Sequence, residues 1–146
     1  MISLRALVRL LAGPMVCSVA VQAADATSRA SQPEARREII AVIDAQLAGF
    51  REDDVRKAYN YASADLRAQK PLPAFVAIVR ENYPEIWTNT RAEFGLVRDD
   101  GATAKLLVHV FGKDTDTTYD YTLVKERAGW RISAVLRHAP KKNDQV

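Results

Sequence analysis

The sequence predicts an α+β domain in which N-terminal helices pack on a curved antiparallel sheet of at least four strands. Two observations carry this prediction. The apolar residues recur at helical spacing between residues 33 and 84, and at the two-residue spacing of strands from residue 89 onward. Only short connections separate the strand-like segments, which favours an antiparallel meander. Helices that precede such a sheet are expected to cover its apolar face.

Three helices are predicted, over residues 33–51, about 55–62 and about 72–83. The apolar stripe of the first helix consists of Ile39, Ile43, Leu47 and Phe50, at spacings of four, four and three residues. Asp53 and Asp54 supply a cap for the second helix. Pro84 is expected to end the third, because the residue before a proline is pushed out of the helical backbone region.

Four strands are predicted, over Asn89–Arg98, Thr103–Phe111, Thr117–Lys125 and Trp130–Arg137. Their registers follow from burial, since a slip by one residue would turn the apolar set outward. The resulting pairs are Leu96–Ala104 and Phe94–Leu106 in the first hairpin, Val110–Tyr119 and Val108–Tyr121 in the second, and Leu123–Ile132 and Tyr121–Ala134 in the third. All three hairpins then present one common apolar face, and this agreement supports the fold class.

The first 23 residues have the pattern of a secretory signal peptide. A positively charged start is followed by twelve uncharged residues, 10–21, which are too few to span a bilayer. Small residues predict cleavage between Ala23 and Ala24, with cleavage after Ala20 and an uncleaved membrane anchor as the alternatives. The protein is therefore expected to be periplasmic or secreted, and to touch a membrane only through the uncleaved signal.

Cleavage changes the composition of the mature chain. It removes Cys17, the only cysteine, so no disulfide or cysteine-bound cofactor is expected. Removing Arg5 and Arg9 from 21 Lys+Arg leaves 19 against 18 Asp+Glu, a net charge of +1 instead of +3. These charges are scattered, which argues against nucleic acid as a partner. The mature chain is predicted to consist of a spacer (24–32), one domain (33–138) and a disordered tail (139–146).

Several short motifs resemble those of one exported bacterial family. They are Ile40-Ala-Val-Ile-Asp-Ala-Gln46-Leu-Ala-Gly-Phe50, Asp53-Asp54, Ala58-Tyr59, Ala62-Ser63, Phe75, Tyr83-Pro84 and Gly129-Trp130-Arg131-Ile132. Together they resemble the family called domain of unknown function 4864, within the cone-shaped superfamily of nuclear transport factor 2 and ketosteroid isomerase. The resemblance covers about residues 36–136 and implies that fold. The superfamily includes enzymes, small-molecule binders and dimerisation modules, so the resemblance selects none of these functions.

Four tyrosines and one glutamine are candidates for lining a ligand pocket under the sheet: Gln46, Tyr59, Tyr83, Tyr119 and Tyr121. Such a pocket would take an apolar small molecule, and no cofactor is expected. The alternative is a filled core, in which the tyrosine hydroxyls bond to backbone or water. Gln46 is expected to fix the first helix to a neighbouring backbone group rather than to bind a ligand.

Acid–base chemistry would require an ionisable group that points into the cone. Asp44 and Asp54 are better explained as a solvated helix residue and a cap. His109 is predicted to lie opposite Asp120 on the outer face of the sheet, as a cross-strand ion pair. The sequence has no metal-ligand spacing, glycine-rich phosphate loop or Gly-x-Ser-x-Gly motif. No catalytic residue is therefore predicted. The predicted function is a non-catalytic binding or interaction module, and the alternative is an isomerase- or dehydratase-type enzyme.

The outer face of the predicted sheet is not purely polar. Leu107, Phe111, Val124 and Val135 are expected to share it with charged and hydroxyl residues. A mixed apolar patch of this kind indicates a protein partner. The family resemblance implies a homodimer through this face, because related folds often dimerise there. The alternative is a monomer with scattered apolar surface residues.

Overall fold

Helices precede strands along the chain, as the spacing of the apolar residues predicts. The computed structural model describes residues 28–139. Within them the elements are β1 (Arg29–Ala30), α1 (Pro33–Arg51), α2 (Val55–Asn60), α3 (Ala64–Gln69), α4 (Leu72–Asn82), α5 (Pro84–Trp87), β2 (Arg91–Phe94), β3 (Arg98–Asp99), β4 (Thr103–Phe111), β5 (Asp116–Glu126) and β6 (Gly129–Arg137). The predicted signal peptide and its cleavage site, Ala23–Ala24, lie outside the described residues. In the described part of the chain, no helix has both the length and the apolarity that a membrane span requires.

Helix α1 has the predicted bounds and buries the predicted stripe. Pro33 occupies its first turn, where the missing N–H costs no helical hydrogen bond, and Glu34 places a negative charge at the positive end of the helix dipole. The four stripe residues Ile39, Ile43, Leu47 and Phe50 are all buried. They pack against the inner face of the sheet, whose buried residues include Val108, Val110, Tyr119, Tyr121, Leu123 and Ile132.

The second predicted helix is shorter than expected, because the chain after α2 joins the edge of the sheet. Ile132 donates its N–H to the Tyr61 carbonyl at 2.8 Å and accepts the N–H of Ser63 at 2.8 Å. The Ser63 hydroxyl then accepts the N–H of Leu66 and caps α3, a helix that the periodicity did not predict. The third predicted helix is confirmed as α4. Pro84 starts the additional single turn α5.

The predicted strand over residues 89–98 is divided into β2 and β3, which both pair with β4 in an antiparallel sheet of six strands within residues 28–139. Phe94 pairs with Val108 rather than with Leu106. Residues 95–97 then interrupt the ladder. The interruption leaves Leu96 65 % exposed, although it was expected to face the helices.

The last residues of the predicted spacer belong to the sheet. β1 pairs with β3, placing Arg29 opposite Asp99. Ser31 donates its N–H to the Val97 carbonyl at 2.9 Å, and its hydroxyl donates to the Asp99 carboxylate. The segment therefore satisfies backbone groups that would otherwise be left at the edge of the sheet.

The hairpin between β4 and β5 is two residues tighter than predicted. Val108 pairs with Tyr119, and Leu106 pairs with Tyr121. The N–H of Gly112 donates to the Thr115 carbonyl at 2.8 Å, which leaves only two residues in the loop. A shift of two residues keeps each side chain on its own face. Tyr119 and Tyr121 are therefore buried under the helices, as predicted.

A one-residue bulge changes the faces of the second half of β6. Leu123 pairs with Ile132 as predicted, but beyond Ser133 the register shifts, so that Tyr121 pairs with Val135. Because side chains alternate along a strand, the extra residue turns Val135 and Arg137 toward the helices. Val135 packs on the core instead of lying on the outer face. Its prediction as an interface residue is therefore wrong.

Candidate functional site

An apolar cavity of about 250 Å³ opens between α4 and the bulged part of β6. Its lining is formed by Gln46, Phe50, Leu66, Lys70, Phe75, Ile78, Val79, Tyr83, Ile86, Ile132, Ser133, Ala134 and Val135. Phe50 and Phe75 stack with their ring centroids 6.2 Å apart. Most of the wall is aliphatic or aromatic, and such a surface favours apolar guests.

Gln46 is the buried polar side chain of this lining. It projects from α1, is 4 % exposed, and its Oε1 atom has no hydrogen-bond partner among residues 28–139. The backbone anchor expected for Gln46 is thus not made by this oxygen. A buried acceptor left without a partner costs about 1–3 kcal/mol, so this oxygen lowers the stability of the folded protein.

The tyrosines near the cavity have different roles. Tyr83 lines it and donates its hydroxyl proton to the Val135 carbonyl at 2.9 Å, which ties the end of α4 to β6. Tyr59 does not line it. Its hydroxyl lies 2.9 and 2.8 Å from the carbonyl oxygens of Arg67 and Lys70, where it satisfies the C-terminal end of α3.

Tyr119 and Tyr121 are fully buried and belong to the core rather than to the cavity wall. Burial raises the pKa of both phenols above the usual range. The Tyr121 hydroxyl has no partner among the described residues. Of the five predicted pocket residues, the structure therefore brings Gln46 and Tyr83 to the cavity, and the filled-core alternative describes Tyr119 and Tyr121.

A buried carboxylate beside the cavity was missed by the sequence analysis. Glu85, in the first turn of α5, is 5 % exposed and does not line the cavity. Its oxygens accept hydrogen bonds from Tyr119 Oη (2.5 Å), Thr115 Oγ1 (2.9 Å), Thr117 Oγ1 (3.2 Å) and Arg137 Nη2 (3.2 Å). We call these five residues the Glu85 cluster. Glu85 was missed because an acidic residue directly after a proline is usual in the first turn of a helix. Arg137 faces Glu85 only because of the bulge in β6.

The Glu85 cluster holds its carboxylate in the ionised form. Burial alone would raise the pKa of Glu85. Hydrogen bonds from Tyr119, from its own backbone N–H, from Thr115 and from Arg137 outweigh burial and lower this pKa to about 2. The phenolic proton stays on Tyr119, since burial and the contact with Glu85 raise the phenol pKa. A carboxylate with this pKa is a weak proton acceptor at neutral pH, so the cluster is suited to holding α5 against the sheet.

The predicted ion pair between His109 and Asp120 does not form, because the tighter hairpin places His109 opposite Thr118. His109 Nδ1 lies 2.7 Å from Thr118 Oγ1, and its Nε2 lies 2.6 Å from Asp116 Oδ2. Asp120 instead contacts His138 Nδ1 at 2.9 Å. Both residues are on the outer face, as predicted, but each has a different partner.

The outer face exposes fewer of the predicted apolar residues than expected. Leu107 is 39 % exposed, and Val124 is half-buried. Phe111 is covered by the Arg91 guanidinium, 3.6 Å from its ring centroid. Leu136, which was not predicted, is 63 % exposed. It lies on this face because the bulge exchanges the orientations of Val135 and its neighbour.

The remaining acid–base candidates lie away from the cavity. Asp44 is exposed on α1, 3.8 Å from Arg51. Asp54 accepts the N–H of Lys57 at 3.0 Å and caps α2, as predicted. In residues 28–139, no group of three or more His, Cys, Asp or Glu side chains could hold a metal ion. The ionisable side chains of the cavity lining are Lys70 and Tyr83.

Comparison with known proteins identifies the family of the chain. The model of the family described as domain of unknown function (DUF4864) matches residues 32–145. No curated protein and no solved structure matches the chain. The matched range contains all elements from α1 to β6 and every residue of the cavity lining. The chain therefore belongs to the DUF4864 family.

Proposed function

We propose that this protein binds a small apolar molecule in the cavity between α4 and β6, without transforming it. The observation that carries the proposal is a 250 Å³ cavity with a mainly apolar lining. A closed apolar cavity of about 150 Å³ binds benzene. Scaled by volume from benzene, the cavity of this protein accommodates about ten non-hydrogen atoms.

The alternative, an acid–base enzyme of the isomerase or dehydratase type, has less support. The aspartates considered for it, Asp44 and Asp54, lie away from the cavity, and His109 lies on the outer face. Glu85 is near the cavity, but its oxygens are occupied by four side chains and its pKa is lowered to about 2. A general base works best with a pKa near the operating pH, so Glu85 is poorly matched to that role.

Binding of naphthalene, an apolar probe of ten carbon atoms, tests the proposal. At about 0.6 kcal/mol per heavy atom, the expected dissociation constant is in the tens of micromolar. Ile78→Trp should fill the cavity and weaken binding more than tenfold. Leu96→Trp adds the same ring at an exposed position and should leave binding unchanged. Isothermal calorimetry and the thermal shift measure both effects. An unresponsive parent protein, or equal losses in both variants, would contradict the proposal.

We also propose that the mature protein begins at Ala24 and is periplasmic or secreted. The support is the charged start, the short uncharged run and the small residues before position 24. N-terminal sequencing of protein recovered from the periplasm or the medium should give Ala24. Recovery of intact Met1 in the membrane fraction would show an anchor instead.

Membership of the nuclear transport factor 2-like superfamily is a further proposal, at the level of fold. It is supported by helices that precede a curved antiparallel sheet and by a cavity between the two. A crystal structure that superposes on that cone over α1 to β6 is the expected result. A different order of the strands would contradict it.

A homodimer through the outer sheet face is a second candidate function. It is favoured by Leu107 and Leu136, which are 39 % and 63 % exposed and lie on either side of Asp120 in neighbouring strands. Sedimentation velocity should detect a dimer that Leu107→Asp and Leu136→Asp dissociate. The control Leu96→Asp, at a third exposed leucine, should leave the dimer intact. A parent protein that sediments as a monomer at all concentrations would rule this function out.

A further inference from the structure

We infer that the guest of the cavity carries one uncharged hydrogen-bonding group, which the side-chain amide of Gln46 binds. The inference rests on the proposed function and names its ligand class: a phenol or alcohol with an apolar body of about ten non-hydrogen atoms. Gln46 lines the cavity and is 4 % exposed, and its buried Oε1 has no hydrogen-bond partner among residues 28–139.

The position of Gln46 on α1 supports a binding role for its amide. It follows Ile43 and precedes Leu47 and Phe50 on the buried side of α1, where apolar residues otherwise occur. An unpaired buried acceptor lowers stability, and an apolar side chain of the same size would avoid that loss. A hydroxyl group of a bound guest would supply a hydrogen-bond partner for this amide. The amide thus reduces stability in the empty protein and contributes specificity in the loaded one.

The other polar side chains near the cavity already have hydrogen-bond partners or are solvated. Tyr83 donates to the Val135 carbonyl, and Arg137 is paired with Glu85. Lys70 is exposed at the rim of the cavity, where its ammonium is solvated. A charged group on the guest would therefore enter the apolar interior without a buried counter-ion, which is strongly unfavourable. This argument selects an uncharged polar group.

Three probes of the same ring system test the inference at pH 7: naphthalene, 2-naphthol and 2-naphthoate. Calorimetry on the parent protein should give about tenfold tighter binding of 2-naphthol than of naphthalene, the range expected for one buried hydrogen bond. Gln46→Leu should reduce this preference to less than twofold and retain naphthalene binding. Gln69→Leu makes the same substitution at an exposed position of α3 and should preserve the tenfold preference.

Gln46→Met is a second variant, with a side chain closer in shape to glutamine. Its unfolding midpoint provides a second measurement. The variant should lose the preference for 2-naphthol and raise the unfolding midpoint of the empty protein, because it removes an unpaired buried polar atom. A lower midpoint would show that the amide is satisfied in the folded protein and would overturn the inference.

The outcomes separate this inference from the proposed function. If none of the three probes binds the parent protein, the proposed function fails. If naphthalene and 2-naphthol bind equally and Gln46→Met changes nothing, the cavity binds apolar molecules and the role of Gln46 is wrong. Tightest binding of 2-naphthoate would show that the site takes an anion, and would also overturn the inference.

Discussion

Replacing Glu85 by glutamine removes a buried charge with little change in side-chain size, so Glu85→Gln isolates the contribution of that charge to stability. The folded-state pKa of Glu85 is about 2, against an ordinary value of 4.5. Because the folded state lowers this pKa, the ionised group stabilises the protein above the unfolded-state pKa. The contribution is lost as the pH falls through the folded-state pKa.

The magnitude follows from the difference between the two pKa values. Lowering the pKa of Glu85 from 4.5 to about 2 corresponds to about 3 kcal/mol of stabilisation of the ionised form. Nearly all of it is present at about pH 5.5, and less than about 0.5 kcal/mol remains at pH 2. The free energy of unfolding of the parent protein should therefore fall by about 3 kcal/mol more than that of Glu85→Gln between these two pH values.

Urea unfolding curves, recorded by tryptophan fluorescence at intervals from pH 7 to pH 2, measure this difference. Other carboxylates titrate in the same range, so the quantity compared is the gap between parent and variant at each pH. Glu81→Gln, at an exposed position near the end of α4, should follow the parent curve. A gap between parent and Glu85→Gln that stays constant from pH 5.5 to pH 2 would refute the reasoning.

Three further changes should act on the same region, each measured by urea unfolding at pH 7. Tyr119→Phe removes a hydrogen bond to an ionised carboxylate and should cost about 2 kcal/mol; an unchanged midpoint would contradict the contact. Gly112→Ala places a Cβ 2.8 Å from the Glu85 Cα and should cost about 1–3 kcal/mol; a neutral effect would mean that the hairpin is loosely packed. Deleting Ser133 removes the bulge but leaves Arg137 opposite Tyr119, on the face toward the helices. Glu85→Gln should therefore still lower stability in this background; loss of that effect would show that the bulge itself positions Arg137.

Helices α1 and α4 and the faces of β4 and β5 could be predicted from the sequence, because periodicity reports burial directly. Helix α1 has the predicted bounds, and its stripe is buried. The β4–β5 register is wrong by two residues, yet Tyr119 and Tyr121 are on the predicted face, since an even shift preserves the alternation. The hairpin length itself could not be predicted. It depends on Gly112 and Thr115 packing against Glu85, which is a contact between distant parts of the chain.

The bulge at Ser133 explains the errors that matter for the site. Ala134, Val135 and Leu136 are consecutive apolar residues, so the apolar pattern of β6 fits the strand both with and without the extra residue. Alternation therefore could not decide which of them faces the helices. The position of the bulge also decides which way Arg137 points, and hence whether the carboxylate of Glu85 has a counter-ion.

The same bulge links the cavity and the Glu85 cluster. It brings Val135 to the cavity wall, where its carbonyl holds the Tyr83 hydroxyl, and it brings Arg137 to Glu85. The ion pair between Arg137 and Glu85 fastens α5 to the sheet next to the cavity. Gln46, on α1, is the buried polar side chain of the cavity lining, and in the proposed function it binds the guest. The proposed binding of a small apolar molecule would then use a scaffold, the Glu85 cluster, that is separate from the binding group on α1.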